Sequence, residues 1–156
     1  MLFRSGCPAS QEEAWAGEVV RVLVDTKVLV SFVTGRNATQ RRSADLLLGA
    51  ARDGEILLLL HQQVLSETSF VLTQLYERPA SEVREMLSSL VGSGFVAPVD
   101  ALDWSRLLEL WPAVLPHFGD ACLAASVEAS GADSIATFDR ILARRLRGLG
   151  IRTYWS

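Results

Sequence analysis

Four acidic residues have the type and placement for shared acid–base or metal chemistry. Asp25 directly follows the apolar run Val22-Leu23-Val24, Asp139 directly follows Ser134-Ile135-Ala136-Thr137-Phe138, and Asp120 opens a helical segment over 121–129. Short continuous apolar runs read as buried strands, and open α/β sheets bind ligands just beyond the carboxyl ends of their strands. Aspartate is also a favoured helix N-cap, which accounts for each of the three taken singly; their joint placement favours a site. Glu67 lies in a helical stretch over 62–76. With Val64 at zero on a helical wheel, Val71 falls at about 340°, Leu75 at about 20° and Glu67 at about 300°, on the rim of the apolar stripe. A rim glutamate either snorkels into solvent or points along the sheet edge toward Asp25.

Four carboxylates converging on one site repel one another and shift their pKa values upward unless a cation sits among them. Ligands that are all oxygen select a hard ion, Mg²⁺ or Mn²⁺. Such an ion lowers the pKa of bound water and stabilises charge on a phosphoryl oxygen. Neither histidine joins this set: His61 ends a strand and His117 lies in a loop, and packing or solvation explains both. There is no G-x-G-x-x-G and no G-x-x-x-x-G-K, so dinucleotide and P-loop chemistry lack their phosphate cradle. An aspartyl phosphatase would carry a second acid two residues after Asp25, and that position is Lys27, the only lysine of the chain.

The elements that position these residues alternate. Strands are expected over 22–24, 56–60, 95–99, 134–138 and 151–155, and helices over roughly 38–51, 62–76, 82–91, 102–110, 121–129 and 140–147. Such alternation predicts a three-layer α/β/α domain around a mainly parallel sheet of about five strands. Pro98 favours an edge or a strand end. The 156 residues, 49% hydrophobic and 21% charged, fit one domain with a sizeable core and exclude wholesale disorder. Residues 1–20 read as a leader of uncertain order and 21–156 as the domain. No apolar run approaches the ~20 residues of a membrane span, and no secretory signal is evident. Cys7 and Cys122 form no metal or disulfide framework. A cytoplasmic location away from membranes is therefore expected.

Charge is uneven. The five basic residues beyond Asp139 are all arginines with no acid among them, whereas residues 1–139 hold the other 10 basic residues and all 18 acids. Arg140, Arg144 and Arg147 share one face of the last helix, opposite Leu142 and Leu146. That stripe either guides a phosphate backbone toward Asp139 or is a solvated amphipathic face. Arg41 and Arg42 form a weaker basic candidate. Trp104 and Trp111 are expected in the core or at an interface, and Asp133 in a solvated turn.

Four stretches, taken in order, resemble the PIN-domain family, and within it the VapC-like toxins of type II toxin–antitoxin systems. They are Leu23-Val24-Asp25-Thr26-Lys27-Val28-Leu29-Val30, Val64-Leu65-Ser66-Glu67, Asp120-Ala121-Cys122-Leu123-Ala124-Ala125 and Ala136-Thr137-Phe138-Asp139-Arg140. The resemblance implies a PIN-like fold and a Mg²⁺- or Mn²⁺-dependent endoribonuclease. Its implied partners are an RNA substrate, a cognate antitoxin and a second copy in a homodimer. It makes Asp25, Glu67, Asp120 and Asp139 the catalytic and metal-binding quartet, with Thr137 as a supporting hydroxyl. One departure stands out: the family favours asparagine where this chain has Lys27. An ammonium there would compete with metal, replace one of two ions, or snorkel outward. The alternative reading is a catalytically impaired PIN-like module that binds RNA or a protein partner.

Overall fold

The computed structural model describes residues 19–155. Most of the 1–20 leader therefore lies outside the described residues, as does Cys7. Strands β1 (Val20–Val24), β2 (Ile56–His61), β3 (Val96–Val99) and β4 (Ser134–Ala136) form one sheet in the order β3-β2-β1-β4, parallel throughout. The register pairs Leu23 of β1 with Leu59 of β2 and with Ile135 of β4, so the carboxyl ends of the central strands lie side by side.

Around the sheet run α1 (Thr26–Thr34), α2 (Ala38–Arg52), α3 (Gln62–Phe70), α4 (Ala80–Val91), α5 (Trp104–Leu110), α6 (Phe118–Ser130) and α7 (Arg140–Gly148). Beyond α3 the helix widens for one further turn over Val71–Leu75. Side chains alternate across the strands and feed two cores. On one face Leu23, Leu57, Leu59 and Ile135 pack with Leu107, Leu123, Leu142 and Leu146 of α5, α6 and α7. On the other, Val22, Val24, Leu58, Leu60 and Ala136 pack with Val28, Leu29, Leu47 and Leu48 of α1 and α2. The result is the three-layer α/β/α arrangement the sequence predicts. Among the described residues, no helix is long and apolar enough to cross a membrane.

Two expectations need correction. Among the described residues the sheet has four strands, not about five. The last segment makes a single parallel bridge, Thr153 to Ile135, and then leaves the sheet as Trp155 stacks on Phe138 with ring centroids 4.7 Å apart. Secondly, the helix over Thr26–Thr34 has no counterpart in the sequence reading. Its Thr26, Val28, Val30, Val33 and Thr34 are β-branched and weak helix formers. Burial of Val28 and Leu29, an N-cap at Asp25 and a C-cap at Gly35 with φ 62 hold it helical instead. Of the two placements expected for Trp104 and Trp111, the core is excluded, since Trp104 is 65% and Trp111 38% exposed.

Leu23 lies at the centre of the sheet and is fully buried. Leu23→Ala is expected to lower the free energy of unfolding by about 2–5 kcal/mol in urea titrations, as cavity-forming core substitutions do.

Candidate active site

Asp25 leaves the end of β1 and caps α1, with Oδ1 accepting from the Thr26 N–H at 2.8 Å. It is only 8% exposed. Its other oxygen accepts from the Thr137 hydroxyl at 2.8 Å, and Thr137 Oγ1 in turn accepts from the Asp139 N–H at 3.1 Å. Thr137 thus joins the ends of β1 and β4. Asp139 caps α7: Oδ1 accepts from Ile141 N at 2.9 Å and Leu142 N at 3.0 Å. Its Oδ2 faces outward, 4.0 Å from Lys27 Nζ.

Glu67 enters from α3, which begins directly at the end of β2. Its Oε2 accepts from the Thr26 hydroxyl at 3.0 Å and from Gln63 Nε2 at 3.2 Å. The rim position on the wheel therefore turns toward Asp25 and is held there by neighbours one helical turn away and across the sheet edge. The first turn of α6 comes in close. A Cβ on Gly119 would lie 2.8 Å from Gln63 Nε2 and 3.3 Å from Glu67 Oε2, so a larger residue before Asp120 would push the ends of these two side chains aside.

Asp120 differs from the other two aspartates. α6 starts at Phe118 with His117 at its N-cap and no side-chain capping bond, which places Asp120 inside the first turn. Capping accounts for Asp25 and Asp139 but not for Asp120, correcting the expectation that it opens the helix. Partial burial, then the nearby charge of Asp25, push its pKa up to about 6; Asp139 and Glu67 add to the rise and His117 opposes it. Burial likewise raises Asp25, against the hydrogen bonds from Thr137 and Thr26, with Glu67 raising it further and Lys27 lowering it. Four carboxylates from four separate elements thus feel one another at the carboxyl edge of the sheet.

The other residues singled out in the sequence do not all lie at this centre. Arg140, Arg144 and Arg147 line an open groove that starts at Thr137 and Asp139 and reaches Trp155, with Asn37 and Gln40 of the α2 end on its other wall. Arg41 instead pairs with Asp45 on α2 at 2.9 Å. Asp133 accepts from the Arg21 N–H at 2.8 Å, at the opposite end of the strands. His61 is buried, and burial lowers its pKa; Nδ1 accepts from Gln63 N at 3.2 Å while Nε2 faces Ala101 O at 3.3 Å, consistent with a neutral ring donating from Nε2. Sequence reasoning missed Thr26, Gln63, Gly119 and His117. Only Gln63, four residues before Glu67, carried a local signal.

The PIN domain pattern matches residues 22–147. The chain belongs to the PIN domain family. Solved structures similar to this PIN domain include Mycobacterium tuberculosis VapC20, a sarcin-ricin loop cleaving toxin (TM-score 0.59, 17% identity, covering 79% of this chain and 93% of that one). A second is the Pyrobaculum aerophilum protein PAE2754 (TM-score 0.57, 20% identity, 81% and 79% covered). A third is VapBC2 from Rickettsia felis bound to a DNA fragment from its promoter (TM-score 0.56, 14% identity, 80% and 92% covered). At these identities the likeness is one of fold. No curated protein sequence matches the chain.

Among the described residues no three acidic, histidine or cysteine side chains lie close enough together to hold a metal ion as they stand. Donor chemistry nevertheless fits a hard divalent cation. All four groups are carboxylates, and burial followed by neighbouring acids penalises the charges of Asp25 and Asp120, which a cation would relieve.

A raised carboxyl pKa means that ionisation opposes folding, a cost absent below the unfolded value near 3.8 and complete above about 6. Asp120→Asn is therefore expected to stabilise the metal-free protein by about 1–2 kcal/mol at pH 7.5, after allowing for screening of a half-buried group. The gain should fade toward pH 4, as read from paired urea titrations.

Proposed function

We propose that this PIN domain is a metal-dependent endoribonuclease acting in the cytoplasm, the toxin of a type II toxin–antitoxin pair. The observation that carries this reading is the gathering of Asp25, Glu67, Asp120 and Asp139 at one sheet edge, next to an arginine-lined groove. PIN domains are generally metal-dependent nucleases, which supports the same reading. Asp25, Glu67, Asp120 and Asp139 would hold Mg²⁺ or Mn²⁺, which when bound activates water and offsets charge on the phosphoryl oxygens.

The residues divide the work. Asp25 or Asp120 orients the water whose oxygen attacks phosphorus as the phosphodiester P–O bond breaks. Thr137 and the Thr26 N–H hold both oxygens of Asp25 in place, and Thr26 and Gln63 fix Glu67. The exposed guanidinium groups of Arg140, Arg144 and Arg147 seat the RNA backbone as it leads to Asp139.

Partner surfaces are available. Trp104 and Leu108 of α5, Trp111 just beyond its end, Val114 and Phe118 are all exposed, with Trp111 set edge-on against Phe118 at 5.3 Å. An apolar stretch of this kind suits a protein interface. It supports a homodimer and a cognate antitoxin; the similar Rickettsia felis structure is of VapBC2. A second reading, an inactive module that binds RNA or protein, draws on the Lys27 ammonium beside Asp139. It differs in expecting no stabilisation by Mn²⁺.

Purified protein is expected to cleave total RNA with Mg²⁺ or Mn²⁺ and not with chelator. Asp25→Asn should reduce the rate at least about a hundredfold with the fold intact by circular dichroism; full activity in that variant would refute the assignment. Replacing Arg140, Arg144 and Arg147 together by alanine should flatten the salt dependence of single-stranded RNA binding by about two units of slope, about 0.7 for each lost phosphate contact.

A further inference from the structure

Lys27 is the only lysine in the chain, and it sits on the first turn of α1, two residues after the buried Asp25. Its side chain is 69% exposed, and its Nζ stands 4.0 Å from Asp139 Oδ2. That oxygen is the one Asp139 has to spare, because Oδ1 is taken by the Ile141 and Leu142 N–H groups. Lys27 also acts electrostatically on Asp25. The ammonium therefore faces the Asp25–Asp139 side of the site. On the Asp120–Glu67 side the polar partners are a neutral amide and hydroxyl from Gln63 and Thr26, with His117 nearby.

Charge arithmetic follows from this placement. Four ionised carboxylates carry four negative charges, and Lys27 removes one. A single divalent ion leaves the centre slightly negative, whereas two ions together with Lys27 would make it positive and force a cation against the ammonium at Asp139. A flexible stem with a compact charged head suits this role, since the head can stay beside a carboxylate while the stem lies in solvent.

We infer that Lys27 is a built-in counter-ion that takes the place of one cation beside Asp139 and restricts the site to a single divalent ion. This rests on the reading of the four acids as metal ligands. Lys27 is a positioning residue here, acting on the metal through Asp139 and Asp25. Because its side chain is exposed, replacing it should leave the fold intact.

The test is calorimetric titration of Mn²⁺ into the full chain without RNA, for wild type, Lys27→Met and Lys27→Arg. Wild type and Lys27→Arg are expected to bind one ion per chain. Lys27→Met is expected to bind two and to hold the first about three- to tenfold more tightly. Two ions in the wild type, or one ion of unchanged affinity in Lys27→Met, would overturn the counter-ion role while leaving the metal site standing. No Mn²⁺ binding by any of the three would overturn the metal reading itself, and the counter-ion role with it.

Discussion

Electrostatic crowding at the carboxyl edge of the sheet is the constraint around which the rest of the molecule is arranged. Asp25 is buried where its charge is poorly solvated, and Glu67 and Asp120 crowd it with further negative charge that Lys27 only partly offsets. Such an arrangement works against stability unless something positive completes it. The fold tolerates it through local hydrogen bonds. The N-terminus of α1 and the Thr137 hydroxyl serve Asp25, the N-terminus of α7 serves Asp139, and Thr26 with Gln63 serves Glu67. Asp120, within the first turn of α6, makes no side-chain cap, and burial with its acidic neighbours raises its pKa.

Parallel strands make this possible. With β4, β1 and β2 side by side and pointing the same way, the turns that lead from each of these strands into a helix deliver Asp139, Asp25 and the start of α3 to one edge. The close approach of α6, allowed by Gly119, brings the fourth acid. The two leucine- and valine-rich cores fix the layers, so the side chains at the edge inherit their positions from a rigid scaffold.

Much of this was legible in the chain because it is written locally. Apolar runs such as Ile56–His61, fully buried as β2, announce central strands, and the residue after a strand is readable from sequence alone. Glu67 was ambiguous because a helical wheel gives direction but not distance, and the hydroxyl of Thr26 that resolves it comes from a different element. The α1 helix was invisible because its β-branched residues favour strand locally and only tertiary burial overrides that preference. The fifth strand failed for the opposite reason: Ile151 to Trp155 looks like a strand, but aromatic packing on Phe138 competes with the ladder. Asp120, expected at the helix start, lies within the first turn, and the earlier start was not legible because residues 118 and 119 give no obvious signal of it.

Metal occupancy is the point on which the account stands. Crystals of the protein grown or soaked with Mn²⁺ and measured for anomalous scattering address it most directly. The expected result is an anomalous peak among Asp25, Glu67, Asp120 and Asp139, with carboxylate oxygens roughly 2 Å from its centre. A site free of anomalous density at saturating Mn²⁺, with the four side chains still apart, would contradict it.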